Sequence, residues 1–161
     1  MDDDSTISSN KRIKLIQDYL DNILKYGRDS YGKKRGESEN SPLFADGINV
    51  KTGEHLRWQP PKGEPFVVSN LLNQQNLFRT LFTLSKLLND DKYINAAKAA
   101  LKYHFSYWQD ESGLLQWGGH RLINLEKLEI SGNKNLQHEL KNSIPFYELM
   151  YEVSPKGTIR F

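Results

Sequence analysis

Two histidines and a carboxylate lie close together in the stretch 109–150, which is the part of the sequence best suited to chemistry. His120 follows Trp117 and a pair of glycines, and Glu139 directly follows His138. Glycines allow a ligand to approach the backbone closely. Imidazole and carboxylate groups together suit Mn²⁺, Fe²⁺ or Zn²⁺. A transition-metal site is therefore one interpretation of this stretch.

The same residues have a second interpretation when spacing alone is considered. His120 is then a structural loop histidine, and Glu139 forms a solvated charge pair with Lys141. A closed metal site needs four or more ligands, whereas only two or three candidates are visible here. No HExxH motif is present, because position 142 is Asn. The missing ligands would have to come from elsewhere.

Three arginines and one tryptophan are candidates for binding a substrate that carries carboxylates. Arg57, Arg79 and Arg121 are suitable because a guanidinium group binds a carboxylate through two parallel hydrogen bonds. Trp117 either stacks on a sugar ring or packs in the core. The sequence contains no cysteine nucleophile and no Gly-rich phosphate loop.

The elements that must position these residues are mainly helical. Apolar residues at helical spacing predict a helix over 10–26 and an αα-hairpin formed by 70–88 and 91–108. His104 falls on the apolar face of that hairpin and is predicted to be a core histidine. The segment 28–64 lacks periodicity, but its apolar residues Leu43, Phe44 and Trp58 predict an ordered, packed loop.

The last third of the chain has weaker patterns. Residues 115–125 alternate loosely, as in a short strand or an extended loop. A helix is predicted to run from about Pro145 to Val153, and Ser154 with Pro155 marks another helix start. Helix pairs bury little surface alone. We therefore expect an all-α fold, the first part of a larger helical barrel or solenoid, with a disordered tail over 1–9. Residues 10–161 would be the N-terminal part of that larger domain.

Composition and charge exclude several classes of protein. A net charge of +2 and the lack of a basic stripe argue against a nucleic-acid partner. No run of eighteen apolar residues is present, so no membrane-spanning segment is predicted. Without cysteine there are no disulfides or thiolate zinc sites. The acidic N-terminus is unlike a signal peptide, which predicts a cytoplasmic location, or a periplasmic one if residues precede Met1.

Four runs of consecutive residues are similar to the sequences of one known family. They are SPLFADGINVKTGE (41–54), SNLLNQQNLFRTL (69–81), DESGLLQWGGH (110–120) and HELKNSIPFYELM (138–150). Together they resemble, in order, the N-terminal part of the pectate lyases of polysaccharide lyase family 2. The resemblance extends from about Tyr31 to Phe161.

The resemblance implies an (α/α) barrel that cleaves polygalacturonate by β-elimination, typically releasing unsaturated digalacturonate from a chain end. It also implies a transition metal, commonly Mn²⁺, held by two histidines and a glutamate. By motif, His120 corresponds to the first ligand and Glu139 to the glutamate. The third ligand and the base, an Arg-His pair in the family, are expected after Phe161, so no catalytic base is assigned within the chain.

Two other functions stay open at this point. One is a different (α/α)-barrel carbohydrate enzyme, either a hydrolase or an epimerase. A hydrolase is less attractive because no obvious pair of acidic residues is present. The other is a non-catalytic helical fragment that binds sugars. In each case the expected partner is a carbohydrate.

Overall fold

The computed structural model describes residues 4–118, 121–132 and 144–161. Its described helices are α1 (Asp4–Tyr26), α2 (Gly32–Arg35), α3 (Gln75–Leu88), α4 (Lys92–Tyr107), α5 (Tyr147–Val153) and α6 (Pro155–Arg160). Its described strands are β1 (Arg57–Trp58), β2 (Phe66–Ser69), β3 (Arg121–Asn124) and β4 (Glu129–Gly132). The described chain therefore mixes α and β structure.

The prediction of an all-α partial barrel is wrong, because the strands form one antiparallel sheet in the order β1-β2-β3-β4. Val68 lies opposite Asn124, and Ile123 lies opposite Ile130. β2 is buried along its whole length, so it lacks the polar–apolar alternation that identifies a strand in a sequence. Its partner β3 lies far along the chain, and local periodicity cannot reveal such a pairing.

The two faces of the sheet pack differently because successive strand residues point to opposite sides. Val67 belongs to a buried cluster that includes residues of the 28–64 loop. Phe66, Val68 and Leu122 form a separate cluster on the other side. The sheet therefore fixes the loop on one face and leaves the second face to line a cleft.

The αα-hairpin is confirmed. α3 ends at Leu88, and the left-handed backbone of the next residue, Asn89 (φ 52°), turns the chain toward α4. Three alanines of α4, at positions 96, 97 and 100, are buried, which allows close packing of the two helices. α3 begins at Gln75, later than predicted, because the Asn70 side chain accepts a hydrogen bond from the backbone N–H of Leu72 and forms a turn instead.

The first helix extends beyond its predicted start. α1 begins at Asp4, so the segment 1–9, predicted to be disordered, is helical from Asp4 onward. At its other end, Gly27 donates a hydrogen bond to the carbonyl of Ile23, as expected for a terminating glycine. No helix in the described ranges is long and apolar enough to cross a membrane.

The predicted helix start at Ser154 and Pro155 is confirmed by α6. The Ser154 hydroxyl accepts a hydrogen bond from the backbone N–H of Gly157, which caps the helix. Pro155 occupies its first position. α5, which runs to the predicted end at Val153, contributes the fully buried Leu149 and Met150 to the core between the helices.

The long loop is ordered, as predicted. Leu43 and Phe44 are completely buried. Trp58, in contrast, is 42% exposed, so the prediction that it is buried is wrong. Its ring rests edge-on against Phe66 at a centroid distance of 5.4 Å and leaves part of its surface open to solvent.

Candidate functional site

The predicted metal ligands lie outside the described residues, but the residues on either side of them are described. His120 falls in the undescribed pair 119–120, and His138 and Glu139 fall in 133–143. Before the pair, the carbonyl of Gly118 accepts a buried hydrogen bond of 3.0 Å from the Asn70 amide. Gly118 has a φ of 95°, a conformation that glycine adopts readily.

After the pair, Arg121 is held by an ion pair. Both terminal nitrogens of its guanidinium lie 3.1 Å from one carboxylate oxygen of Asp110, and its Nε donates to Gln116. Burial by itself raises the pKa of Asp110, but hydrogen bonds from Ser112, the Leu114 backbone and Arg121 outweigh it and lower that pKa. Arg121 therefore fixes the start of β3, and its charge is already paired.

The second undescribed segment is also anchored where the chain resumes. Arg79 donates a hydrogen bond of 2.6 Å to the carbonyl of Ile144, and its guanidinium lies over the ring of Phe146. The side chain of Gln75 accepts a 2.7 Å hydrogen bond from the backbone N–H of Phe146. In this chain Arg79 holds residues 144–146 against α3.

Trp117 lies in the core. Only 1% of its surface is exposed, and its ring lies 5.4 Å from that of Phe161. A ring buried to this extent packs against protein rather than against a sugar. Of the two alternatives that the sequence left open for Trp117, its burial fits core packing.

An open cleft of about 380 Å³ lies beside β1, β2 and β3, and we call it the sheet cleft. Its lining includes Arg57, Trp58, Asn70 and Leu122. Arg57 is half-exposed and pairs with Glu126. Asn70, which holds Gly118, and Leu122, which follows Arg121, both line the sheet cleft. Of the predicted substrate-binding residues, the structure places only Arg57 in this cleft.

Asp46 is a residue of the sheet cleft that the sequence did not identify. One carboxylate oxygen accepts hydrogen bonds from the Asn70 backbone (2.8 Å) and from Gln74 (3.0 Å), and the other accepts one from Asn73 (2.8 Å). The residue as a whole is exposed, but partial desolvation of its carboxyl by neighbouring protein raises its pKa to about 6, and the three hydrogen bonds oppose this rise. The sequence showed only an Asp-Gly turn, since all three donors lie more than twenty residues away.

No group of three or more histidine, aspartate or glutamate side chains converges within the described ranges. The chemistry of the predicted donor set still suits Mn²⁺, because imidazole and carboxylate are ligands that this ion accepts. The assignment of His120 and Glu139 as ligands therefore stays a prediction.

His104 is confirmed as a core histidine and takes no part in the cleft. It is completely buried, and neither ring nitrogen has a hydrogen-bond partner in the part of the chain that the structure describes. Burial lowers its pKa to about 3, from an ordinary value of 6.5. The folded protein therefore keeps this imidazole neutral under mildly acidic conditions.

The neutral state of His104 predicts a pH-dependent loss of stability. Between pH 6.5 and 3 the unfolded chain binds a proton that the folded chain does not bind, so the free energy of unfolding falls as pH falls. The slope is up to about 1.4 kcal/mol per pH unit. His104→Leu should flatten this dependence, which urea unfolding at pH 7, 6, 5 and 4.5 would measure. Parallel curves for parent and variant would contradict a neutral His104.

Comparison with known proteins connects this chain to a family and to a curated relative. A family described as periplasmic pectate lyase matches residues 41–161. A pectate disaccharide-lyase from Dickeya dadantii (strain 3937) is 35% identical to this chain over 152 residues. That alignment covers 92% of this chain and 27% of the relative, so the chain spans about a quarter of the length of the relative it matches.

Proposed function

Because this chain belongs to the periplasmic pectate lyase family, we propose that it forms part of an enzyme that cleaves polygalacturonate by β-elimination. The proposed substrate is an α-1,4-linked galacturonate chain. His120 and Glu139 are the proposed ligands of a divalent transition metal, with Mn²⁺ as the first candidate. The third ligand and the base are expected from an Arg-His pair after Phe161.

One structural observation supports this proposal beyond the family. Side-chain hydrogen bonds hold the chain against the folded core on both sides of 119–120. They also hold it where it continues after 133–143. Asn70 holds Gly118, Asp110 holds Arg121, and Arg79 holds Ile144. A preorganised metal or substrate site needs neighbouring residues that are held in place in this way.

The reaction removes a proton from C5 of a uronate and breaks the bond between C4 and the departing sugar oxygen. The electron pair from the C5–H bond forms the C4–C5 double bond. The metal would supply positive charge next to the C6 carboxylate, where negative charge develops. In the sheet cleft, we propose that Arg57, whose guanidinium also pairs with Glu126, binds a carboxylate of the substrate and that Trp58 stacks on a sugar ring.

The direct test is ultraviolet absorbance of the unsaturated product when the whole protein acts on polygalacturonate. We expect the absorbance to rise faster when Mn²⁺ is added, and we expect this rise to stop when a chelator is added. Hydrolytic products without a double bond, formed independently of metal, would overturn the lyase proposal. They would favour a different carbohydrate enzyme.

Substitution of the proposed ligands gives a sharper prediction. His120→Ala and Glu139→Ala should each weaken Mn²⁺ binding by at least about tenfold, since removing a second-shell partner alone costs 10–100-fold. Titration of the metal-free protein with Mn²⁺, followed by calorimetry, measures this change directly. His138→Ala is the matched control because it is adjacent in sequence to Glu139. If His138→Ala alone abolished Mn²⁺ uptake, the ligand assignment would be wrong.

The description of the family also bears on location. The acidic start of the chain predicted the cytoplasm, with the periplasm as the alternative. A family described as periplasmic favours the alternative. We therefore propose that the enzyme meets its substrate in the periplasm.

A further inference from the structure

A second and larger cleft lies next to the sheet cleft. It has a volume of about 930 Å³, mostly polar walls, and a position between the end of α1, the loop that follows, α2 and the turn before β1. We call it the loop cleft. Its volume lies in the range of about 300–1,000 Å³ that is typical of ligand sites. Arg57 lines both clefts, so the two share a wall.

Three cations of the loop cleft have no acidic partner in the part of the chain that the structure describes. Lys25, Arg28 and Lys34 line it, and none of them forms an ion pair with any residue in the described ranges. Each instead lies over an aromatic ring, and the Arg28 guanidinium is 5.8 Å from the centroid of Phe44. A cation–π contact stabilises a cation without neutralising its charge.

Arg28 is the most informative of the three. It is partly buried, and burial lowers the pKa of its guanidinium. A half-buried cation normally has a carboxylate nearby, as Arg35 has in Asp29. Arg28 has none among the described residues, so its contact with the Phe44 ring is left to offset its partial desolvation. An anion bound in the cleft would neutralise its charge.

The acidic residues of the loop cleft cancel only part of these charges. Asp29 forms an ion pair with Arg35, a residue that does not line the loop cleft. Glu54 is exposed and accepts a hydrogen bond from the Thr52 hydroxyl. His55 is used by the fold: because the carbonyl of Tyr26 can only accept, Nε2 of His55 must donate to it, over 2.8 Å. The cleft is therefore a net cationic surface.

We propose that the loop cleft binds a carboxylated oligosaccharide. Its cations come from separate elements of the fold and are interspersed with the hydroxyl and amide groups of Ser30, Tyr31 and Asn40. A uronate chain carries one carboxylate and several hydroxyls on every ring, which matches this distribution. A single compact anion would instead call for cations that converge on one point. The identity of the sugar, a galacturonate chain, rests on the proposed function.

The test measures binding of tetragalacturonate by calorimetry in the whole protein that carries His120→Ala, with a chelator present. Under these conditions neither cleavage nor metal-dependent binding contributes. The double variant Arg28→Gln/Lys34→Gln should bind at least about tenfold more weakly, because charge-assisted hydrogen bonds are lost. Lys33→Gln is the matched control, since Lys33 is exposed on the same short helix as Lys34 and does not line the cleft. It should change affinity less than about twofold.

Each other outcome has a definite meaning. Unchanged affinity in the double variant, or an equal loss in Lys33→Gln, overturns the proposed site. Displacement of tetragalacturonate by an equal concentration of inorganic phosphate shows a general anion site and overturns the carbohydrate assignment. The ultraviolet assay on the parent protein is independent of these results. A parent that lacks lyase activity but shows the Arg28/Lys34 effect would overturn the proposed reaction alone.

Discussion

Replacing Arg35 with methionine should lower the free energy of unfolding by about 3–5 kcal/mol, because it leaves a buried charge unpaired. The Asp29 side chain is completely buried, and its two oxygens accept hydrogen bonds of 2.7 and 3.2 Å from Arg35. Arg35 also donates to the carbonyl of Leu125, just after β3. The substitution therefore releases the loop from the sheet, which urea unfolding at pH 7 would measure.

Lys33→Met is the control for this prediction, since it makes the same chemical change on the same helix at an exposed position. It should change the free energy of unfolding by less than about 0.5 kcal/mol.

The loss of stability caused by Arg35→Met should also become smaller at acidic pH. Hydrogen bonds from Arg35 and the Ser41 segment outweigh burial and lower the pKa of Asp29, whereas burial without Arg35 should raise it. Asp29 in the variant then takes up a proton at higher pH, and the charge disappears. A deficit that stays constant down to pH 4 would argue against this cause.

Trp117→Ala should destabilise the protein by about 3–5 kcal/mol, the usual range for removing a buried aromatic ring. Trp117 is 1% exposed and belongs to the core cluster that also contains Leu115 and residues of α3, α4 and α5. Removing its ring leaves a cavity that the neighbouring backbone cannot fill. Urea unfolding of parent and variant at one pH would measure the difference.

Two controls separate packing from substrate binding. Trp117→Phe keeps an aromatic ring and should cost less, since Nε1 of Trp117 has no hydrogen-bond partner among the described residues. Trp58→Ala removes a ring that is 42% exposed and should change stability by less than about 1 kcal/mol. Normal stability in Trp117→Ala combined with a loss of polygalacturonate binding would instead assign Trp117 to the substrate site.

The sequence by itself determined the αα-hairpin, the start of the last helix and the family. The helical spacing of apolar residues located α3 and α4, and the Ser154–Pro155 pair located the start of α6. The burial of His104 followed from its place on the apolar face of α4. These features could be predicted because the interactions that form a helix join residues three or four positions apart. The family followed from short runs of residue types that need no structure to compare.

Only the tertiary structure decided the sheet, the clefts and the contacts of the described arginines. Arg57 pairs with Glu126 across 69 positions, and Arg35 reaches Leu125 across 90. A sequence shows the charge of each such residue but not its partner. Asp46 was missed for the same reason. Whether an arginine is paired with an acid, like Arg121, or has no acidic partner among the described residues, like Arg28, depends on which distant residues folding brings beside it.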